Sequence, residues 1–247
     1  MKKQSGLSIT ELLISLFLAT FIGSLMIQIY ITDKKHYLMI QRELQTNSDI
    51  HWVSELLKKS IRSAGFTPCL GLDQLTVLDH RDHTKAIKSM EINSARDLIH
   101  INRMNDHFGE VTQIISSTRI ELSSNTALTK LRPIIISDCT HAEIHQVQEV
   151  YHLNQKTQLI LKEPLKFSYE SQAFVGEWLE EEWFIKLNAQ GVRALFCKQL
   201  QHTEELTELI HSLVIKREKL QHKQGIEVIM GLAKEKQHSL IVTVRGT

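Results

Sequence analysis

The feature that most limits how this chain can fold is a run without a charged residue at positions 12–32, LLISLFLATFIGSLMIQIYIT. As a helix, a run of this length is about long enough to cross a hydrocarbon core of ~30 Å. Its apolar residues surround the whole helix, whereas a buried helix of a soluble protein has them on one stripe. Lys2 and Lys3 precede the run, which orients the first residues toward the cytoplasm. The sequence therefore predicts a transmembrane helix, with everything after Asp33 on the opposite side of the membrane.

A small residue, Gly6, lies before the apolar run and not after it. Ordinary secretory signals have a shorter apolar core that is followed by small residues. Cleavage after Gly6 would keep the apolar helix in the mature protein and give Leu7 a free α-amino group. Glu11 would then be the fifth mature residue, and its carboxylate could pair with the terminal amine of a neighbouring subunit in a low-dielectric setting. The alternative is an interfacial carboxylate that reaches the lipid headgroups.

The residues KKQSG–LSITELLISLFLA together resemble the class III signal of type IV prepilins. In that family a short basic leader ends in Gly, and a membrane-embedded prepilin peptidase removes the leader and methylates the new N-terminus. The resemblance implies a leader at 1–6, cleavage between Gly6 and Leu7, N-methylation of Leu7, and Glu11 as the glutamate that acts between subunits in assembly. The family most often has Phe where Leu7 stands, and an apolar residue where Thr10 stands.

The helical pattern continues beyond the apolar run. Within each of two groups, apolar residues recur at spacings of three and four, which places them on one helix face: Tyr37, Ile40 and Leu44, then Ile50, Val53, Leu57 and Ile61. Gly65 predicts the end of the helix, and Pro68 follows just beyond it. We therefore expect one helix over 7–64, with 12–32 as its transmembrane part.

The pattern changes after Gly65. Short apolar runs rich in β-branched residues alternate with polar turns, including DLIHINR, PIIISDC, QLILKE, WFIKL and SLIVTVR. Residues 204–213, EELTELIHSL, are the one later segment for which we expect a helix. The expected fold class is α+β: a long, pilin-like N-terminal transmembrane and amphipathic helix packed on a C-terminal antiparallel β-rich domain at 65–247.

Blocks in this second part resemble the PilW family of minor pilins. The segment KKSIRSAGFTPC looks like that family's helix-to-sheet junction, and IIISDCTHAEIHQV, EEWFIKLNAQGVRALFCKQL, EELTELIHSL and GIEVIMGLA follow in the family's order. The resemblance implies a non-enzymatic subunit that helps to initiate type IV pilus assembly at or near the tip. It also implies an inner-membrane protein with 65–247 in the periplasm, incorporated into the pilus. The implied partners are other minor pilins, the major pilin and a tip adhesin.

Two other functions fit parts of the sequence. A minor pseudopilin of a type II secretion system, resembling the GspJ family, would share the leader, the glutamate and the architecture. A single-pass membrane enzyme or receptor with an uncleaved anchor would need a catalytic constellation, and the sequence has no GxSxG motif or P-loop. With Lys+Arg 29 against Asp+Glu 28, the net charge of +1 gives no field that would attract nucleic acid.

For three polar clusters a surface or structural role is the preferred interpretation. His141, Glu143 and His145 would share one face of a strand, but HAEIH is not the HExxH of a zinc protease, and a solvated polar edge is favoured. The run DHRDH at 79–83 is expected to be a charged surface loop. The acidic segment 177–182 is expected to be a solvated turn flanked by core aromatics, rather than a partner-binding patch. We therefore assign no metal and no cofactor.

The three cysteines, Cys69, Cys139 and Cys197, are far apart and lack the CxxC spacing of a zinc ribbon or a thioredoxin-like site. Disulfides persist in the periplasm. Cys69 lies in a loop just after the long helix and Cys139 ends the apolar run PIIISD, so we expect a Cys69–Cys139 disulfide. Cys197, within the strand-like ALFCKQL, is expected to be a free buried thiol. A Cys139–Cys197 bond and three free thiols are the alternatives.

The leader predicts a defined processing event. Gly6→Leu should leave the precursor uncut, because the cleavage site then lacks its small residue. N-terminal mass spectrometry should find methylated Leu7 at the start of the mature wild-type protein and an intact leader in the variant. An intact Met1 in the mature wild-type protein would contradict the assignment as a pilin.

Overall fold

The computed structural model describes residues 9–82, 86–93, 95, 97–123, 128–130, 132–153, 156–169, 172–200, 202–220, 223–232 and 236–244. They form a helix, α1 (Ile9–Arg62), a single turn of 3-10 helix (Leu72–Gln74) and thirteen strands. The strands are β1 (Thr76–Asp79), β2 (Met90–Asn93), β3 (Leu98–Ser116), β4 (Arg119–Leu122), β5 (Pro133–Ser137), β6 (His141–Leu153), β7 (Lys156–Leu161), β8 (Phe174–Leu187), β9 (Arg193–Gln199), β10 (His202–Thr207), β11 (Ile210–Leu220), β12 (Lys223–Leu232) and β13 (Gln237–Thr243). A long apolar helix followed by a large, mainly antiparallel β domain is the α+β class that the sequence predicts.

The chain divides into two units, Met1–Asp49 and Ile50–Thr247. The first unit contains the apolar part of α1. None of its most apolar stretch is buried within the chain. Hydroxyl groups in the run donate to carbonyl oxygens one turn earlier: Ser15 to Leu12, Thr20 to Phe17 and Ser24 to Phe21. By length and composition this helix can span a membrane, and these polar side chains have partners within it.

The helix ends where the sequence provides glycine. Regular helix stops at Arg62, and a turn leads to Gly65, whose φ is +70°. A Cβ at this position would lie 2.6 Å from Cβ of Ser89, so both conformation and space favour glycine. The amide of Gly65 donates to the carbonyl of Asn102 on β3 at 2.8 Å, which ties this turn to the sheet. Of the expected range 7–64, α1 occupies Ile9–Arg62, and residues 1–8 lie outside the described part of the chain.

The large sheet closes into a ring. Its strand order is β10-β9-β8-β5-β6-β7-β4-β3-β2, and β3 also pairs with β8, so the path from β8 through β5, β6, β7 and β4 to β3 returns to β8. Strand β3 is long enough to pair with β8 over its first part and with β4 over its last. One apolar core fills this ring, with Ile120, Ile134, Ile136, Leu159 and Val175 among its members. Ring closure gives each of these strands a neighbour on both sides.

The last turns of α1 belong to a second apolar core. Val53, Leu57 and Ile61 are fully buried and follow the three-and-four spacing seen in the sequence. They form one cluster with apolar residues of β2, β3, β8 and β9 and of the separate three-stranded sheet β11-β12-β13. The helix from Ile50 onward is therefore a structural part of the second unit.

The helix expected at 204–213 is wrong, because this segment forms β10, a turn and the start of β11. Between Ile210 and Ser212 the register of β11 against β12 shifts by a bulge. The bulge allows Ile210 and Leu213 to be buried in the same core despite a spacing of three, which in the sequence imitates a helical turn. Pairing with β9 and β12 overrides the helix propensity of the Glu and Leu residues.

A disulfide joins Cys69 and Cys139, the pairing expected from the sequence. Cys69 lies in the loop after α1, Cys139 lies between β5 and β6, and their Cα atoms are 5.2 Å apart. The bond links positions separated by 70 residues and so ties the junction after the helix to the ring. Cys197 on β9 carries a free, half-buried thiol, and burial raises its pKa to about 12.

Removing the disulfide should destabilise the domain, since a loop of this length contributes about 4 kcal/mol in the chain-entropy model. We expect the double variant Cys69→Ser/Cys139→Ser to lose roughly 2–4 kcal/mol of unfolding free energy in denaturant titrations. Cys197→Ser is the control and should lose less than about 1 kcal/mol. Peptide mapping without reductant checks the pairing, and full alkylation of Cys69 under those conditions would contradict it.

Candidate functional site

The edge of β6 is shared by two strands. Its first half pairs in parallel with β1, and its second half pairs in antiparallel fashion with β7. Between these two ladders the amide of His80 donates to the carbonyl of Ile144, and the amide of Lys162 donates to the carbonyl of Gln146, each at 3.0 Å. The residues that follow β1 and β7 therefore meet beside the middle of β6.

Glu143 is a fully buried carboxylate at this place on β6. It is paired with Ile136 of β5, a member of the ring core, so its side chain shares that face of the sheet. Oε1 of Glu143 accepts from the amide of Phe167 at 2.8 Å and from the hydroxyl of Tyr169 at 3.2 Å. Oε2 accepts from the amide of Lys166 at 3.0 Å. The segment after β7 thus fixes the orientation of the carboxylate.

The surroundings of Glu143 favour its charged form. Burial by itself raises the pKa of this carboxyl, but hydrogen bonds with His145, with two backbone amides and with His80 outweigh it and lower the pKa to about 2. Burial and the neighbouring carboxylate raise the pKa of Tyr169, so its hydroxyl remains a donor. Among the described residues, the ion-pair partners of Glu143 are His80 and His145, and no Lys or Arg side chain pairs with it.

His80 and His145 converge on one oxygen of Glu143. Nε2 of His80 lies 2.6 Å from Oε2, and Nε2 of His145 lies 3.2 Å from it. The two imidazole rings stack with centroids 4.0 Å apart. All three residues are buried, and one ligand-type atom from each lies within 4.8 Å of the others. We call these three residues the His–Glu cluster; it can hold a proton or a cation between two imidazoles and a carboxylate.

The solvated edge expected for residues 141, 143 and 145 is wrong for two of the three. Glu143 and His145 are fully buried, and only His141 is partly exposed, with its ring stacked on Phe167 at 4.5 Å. The sequence predicts that the three share a strand face. It does not reveal that the segment after β7 contacts this face and shields it from water.

The prediction of a surface loop at 79–83 is wrong for its first two residues. Asp79 ends β1 and is buried, and His80 is buried directly after it, because β1 joins the edge of β6. Residue 83 lies outside the described part of the chain. His80 is the member of the His–Glu cluster that sequence reasoning did not connect with 143 and 145, and the signal for it is the short run TVL that precedes Asp79.

Arg81 connects β1 to the central strand β8. Its guanidinium lies 2.8 Å from Oδ2 of Asp79 and 2.7 Å from Oε1 of Glu180. The same oxygen of Glu180 accepts from the indole N–H of Trp178 at 2.9 Å. Burial raises the pKa of Glu180, but hydrogen bonds from Arg81 and Trp178 lower it below its usual value. Both carboxylates that contact Arg81 therefore depend on it for charge balance.

The acidic segment 177–182 is not the expected solvated turn but the middle of β8, paired with β3 and β9. Each carboxylate has a basic partner outside β8: Glu177 with Arg132, Glu180 with Arg81, Glu181 with Arg103, and Glu182 with Lys198. The neighbouring aromatics Trp178 and Trp183 are buried, as expected. Pairing between elements makes an acidic run compatible with a central strand.

The residues that the sequence assigns to processing and assembly belong to the other end of the chain. The leader and the Gly6–Leu7 bond lie outside the described residues. Glu11 is exposed in the first described turn of α1, within the first unit, whereas the His–Glu cluster belongs to the second.

Comparisons of the chain with protein-family models, with curated proteins and with solved structures give no match. Its function therefore has to follow from the residues and the geometry described above.

Loss of Arg81 should destabilise the domain more than loss of a surface arginine. Arg81→Met leaves the buried carboxylate of Asp79 without this partner, which should cost roughly 3 kcal/mol. Arg193→Met is the matched control, since its ion pair with Asp97 is more exposed and should contribute less than about 1 kcal/mol. Chemical denaturation measures both, and equal losses would show that Arg81 does not anchor β1.

Proposed function

We propose that this chain is a PilW-like minor pilin, a subunit that helps to initiate type IV pilus assembly and lies at or near the pilus tip. The observation that carries the proposal is the exposed apolar surface of α1 in the first unit. Its large side chains point outward on all sides, and Leu12, Phe17 and Met26 are each more than half exposed. Such a surface needs a bilayer or other apolar helices to cover it.

Leaving this surface in water is costly. Fifteen large apolar side chains from Ile9 to Ile31 are exposed, and burial of each contributes about 1.5 kcal/mol at the low end. Burying all of them contributes a free energy on the order of 20 kcal/mol, which exceeds a typical unfolding free energy of about 5–15 kcal/mol for a domain. Lipid and neighbouring apolar helices can both provide the cover, because serine and threonine hydroxyls of the run bond within the helix. In the proposed mechanism the helix first inserts into the inner membrane and then packs against other pilin helices.

Glu11 would direct this packing. Carboxylates at membrane depth are rare, and where they occur they mark functional contacts. In the proposed assembly it pairs with the α-amino group that cleavage after Gly6 creates at Leu7 of an adjacent subunit. The attraction is strong in low-dielectric surroundings, so the pair fixes the register of neighbouring helices. The mechanism is association and involves no chemical step after processing by the prepilin peptidase.

The β domain suits a location in the periplasm. Its Cys69–Cys139 disulfide would persist there, and its ring closure and buried ion pairs favour a rigid body. In the proposed assembly the helix carries this body into the filament. The partners are other minor pilins, the major pilin and a tip adhesin.

The second candidate is a GspJ-like minor pseudopilin of a type II secretion system, since the apolar helix, Glu11 and the β domain would serve it equally. Deletion of the gene separates the two functions. Loss of surface pili with normal protein secretion supports the pilin, and loss of secretion with normal piliation supports the pseudopilin.

Glu11→Ala should impair assembly but not insertion or folding. Removing a charge from a membrane segment eases insertion, so the variant should reach the membrane in normal amounts with its disulfide intact. Co-purification with partner pilins and piliation should fall about tenfold or more, because a loss of only ~1.4 kcal/mol of pairing reduces an association constant tenfold.

Glu43→Ala is the matched control, since Glu43 is an exposed carboxylate on the same helix beyond the apolar run. This variant should assemble like the wild type. Normal piliation and normal partner binding by Glu11→Ala would refute the role assigned to Glu11.

A further inference from the structure

The buried carboxylate of Glu143 requires a compensating positive charge or a full set of donors. The Phe167 amide and the Tyr169 hydroxyl donate to Oε1, and the Lys166 amide contacts both oxygens, at 3.2 Å from Oε1 and 3.0 Å from Oε2. Oε2 faces Nε2 of His80 at 2.6 Å and Nε2 of His145 at 3.2 Å. Three atoms that bind cations therefore converge inside the ring, at a carboxylate that lacks a Lys or Arg partner among the described residues.

The second ring nitrogen of His80 adds a constraint. Nδ1 lies 3.2 Å from Oε2 of Glu163, while Nε2 faces the carboxylate of Glu143. A neutral imidazole has one N–H, so it donates to one of these carboxylates and presents a lone pair to the other. A cation between Nε2 and Glu143 removes this conflict and leaves Nδ1–H to donate to Glu163.

We propose that His80, Glu143 and His145 bind one divalent transition-metal ion of the Zn²⁺ type. The site goes beyond the proposed pilin function and does not depend on it. Two imidazole nitrogens and one carboxylate oxygen form a ligand set that zinc sites use, with a fourth position left for water. Tetrahedral bonds of about 2.0–2.2 Å place ligand atoms about 3.3 Å apart. The His145–Glu143 distance of 3.2 Å fits this, and the His80–Glu143 distance of 2.6 Å has to widen by less than ~1 Å.

The surroundings hold two of the three ligands in place. Metal-binding histidines commonly donate their other N–H to a carboxylate, and Glu163 is placed to accept it from His80. Glu143 is oriented by the Phe167 amide and the Tyr169 hydroxyl at Oε1 and by the Lys166 amide, which contacts both oxygens. His145 differs, since its Nδ1 is buried without a partner among the described residues.

A cleft that His80 lines lies beside the His–Glu cluster, and in this proposal it is the path by which the ion enters. Its volume is about 170 Å³, and it is lined by His80, Arg81, Gln146, Lys162 and Glu163. Glu163 is 44 % exposed and presents a carboxylate to an entering cation. The positive charge of Arg81 is offset by Asp79 and Glu180.

The ion would link segments of the chain that are distant in sequence. His80 follows β1, Glu143 and His145 belong to β6, and Glu163 follows β7. Strand β1 is only four residues long, so its ladder with β6 is short. A metal ion at its end would stabilise the attachment of β1 to the ring.

The test uses the full-length protein in detergent, purified without a polyhistidine tag and stripped of metal by a chelator. Titration with Zn²⁺ should show about one ion per chain, and Co²⁺ should give the visible absorption of a tetrahedral site. At a Zn²⁺ concentration about 100 times Kd, the Tm should rise by roughly 5–10 °C.

Variants then locate the ion. Glu163→Gln should weaken Zn²⁺ binding roughly 10–100-fold, and His80→Gln, Glu143→Gln and His145→Gln should each weaken it more. His152→Gln, on the same strand but outside the cluster, is the matched control and should bind Zn²⁺ like the wild type. Circular dichroism identifies any variant that fails to fold. The ligand variants that do fold then show whether these residues bind the ion.

Two results would overturn the proposal. A folded wild-type protein that binds no Zn²⁺ would show that the hydrogen bonds of the His–Glu cluster alone hold it together. Binding that is as tight in His145→Gln and Glu143→Gln as in His152→Gln places the ion elsewhere.

Discussion

The helix α1 has to suit two different surroundings, and the division of the chain into two units follows from this constraint. Through residues 12–32 it is apolar on all sides and its hydroxyls bond within the helix, so no aqueous face remains. From Ile50 onward it is amphipathic, and Val53, Leu57 and Ile61 fill the core of the β domain. The domain therefore has a complete core of its own, and the apolar segment remains available for a membrane or for neighbouring helices.

Several interactions of different kind secure the segment that joins the helix to the ring. Gly65 turns the chain onto β3, the Cys69–Cys139 disulfide ties the following loop to the start of β6, and Arg81 links β1 to β8. The His–Glu cluster lies at the end of β1, where β1 and β7 meet on β6. In the proposed assembly, load on the helix reaches the domain through this junction. The covalent and buried polar contacts in this segment would keep the helix connected to the β domain.

Much of the architecture can be predicted from the sequence, and the failures have identifiable physical causes. Periodicity predicts the part of the helix beyond the apolar run, because spacing along the chain reports which face is buried, and short β-branched runs predict most strands. It fails at Ile210 and Leu213, where a bulge gives a strand the spacing of a helix. It also fails for the polar residues: the burial of Glu143 and of segment 177–182 depends on partners far away in sequence, such as His80 and Arg103. A charged segment is therefore predicted to lie at the surface, although in the fold its charges are paired in the interior.

The central claim is that the apolar surface of α1 is covered by other pilin helices once the subunit leaves the bilayer. The most direct measurement places a photoreactive phenylalanine analogue at Phe17, which is 67 % exposed in its own chain, and illuminates piliated cells. The account predicts covalent adducts with other pilin subunits, and the loss of these adducts when Glu11 is replaced by Ala. Abundant subunit in the membrane that forms no adduct with another pilin would contradict it.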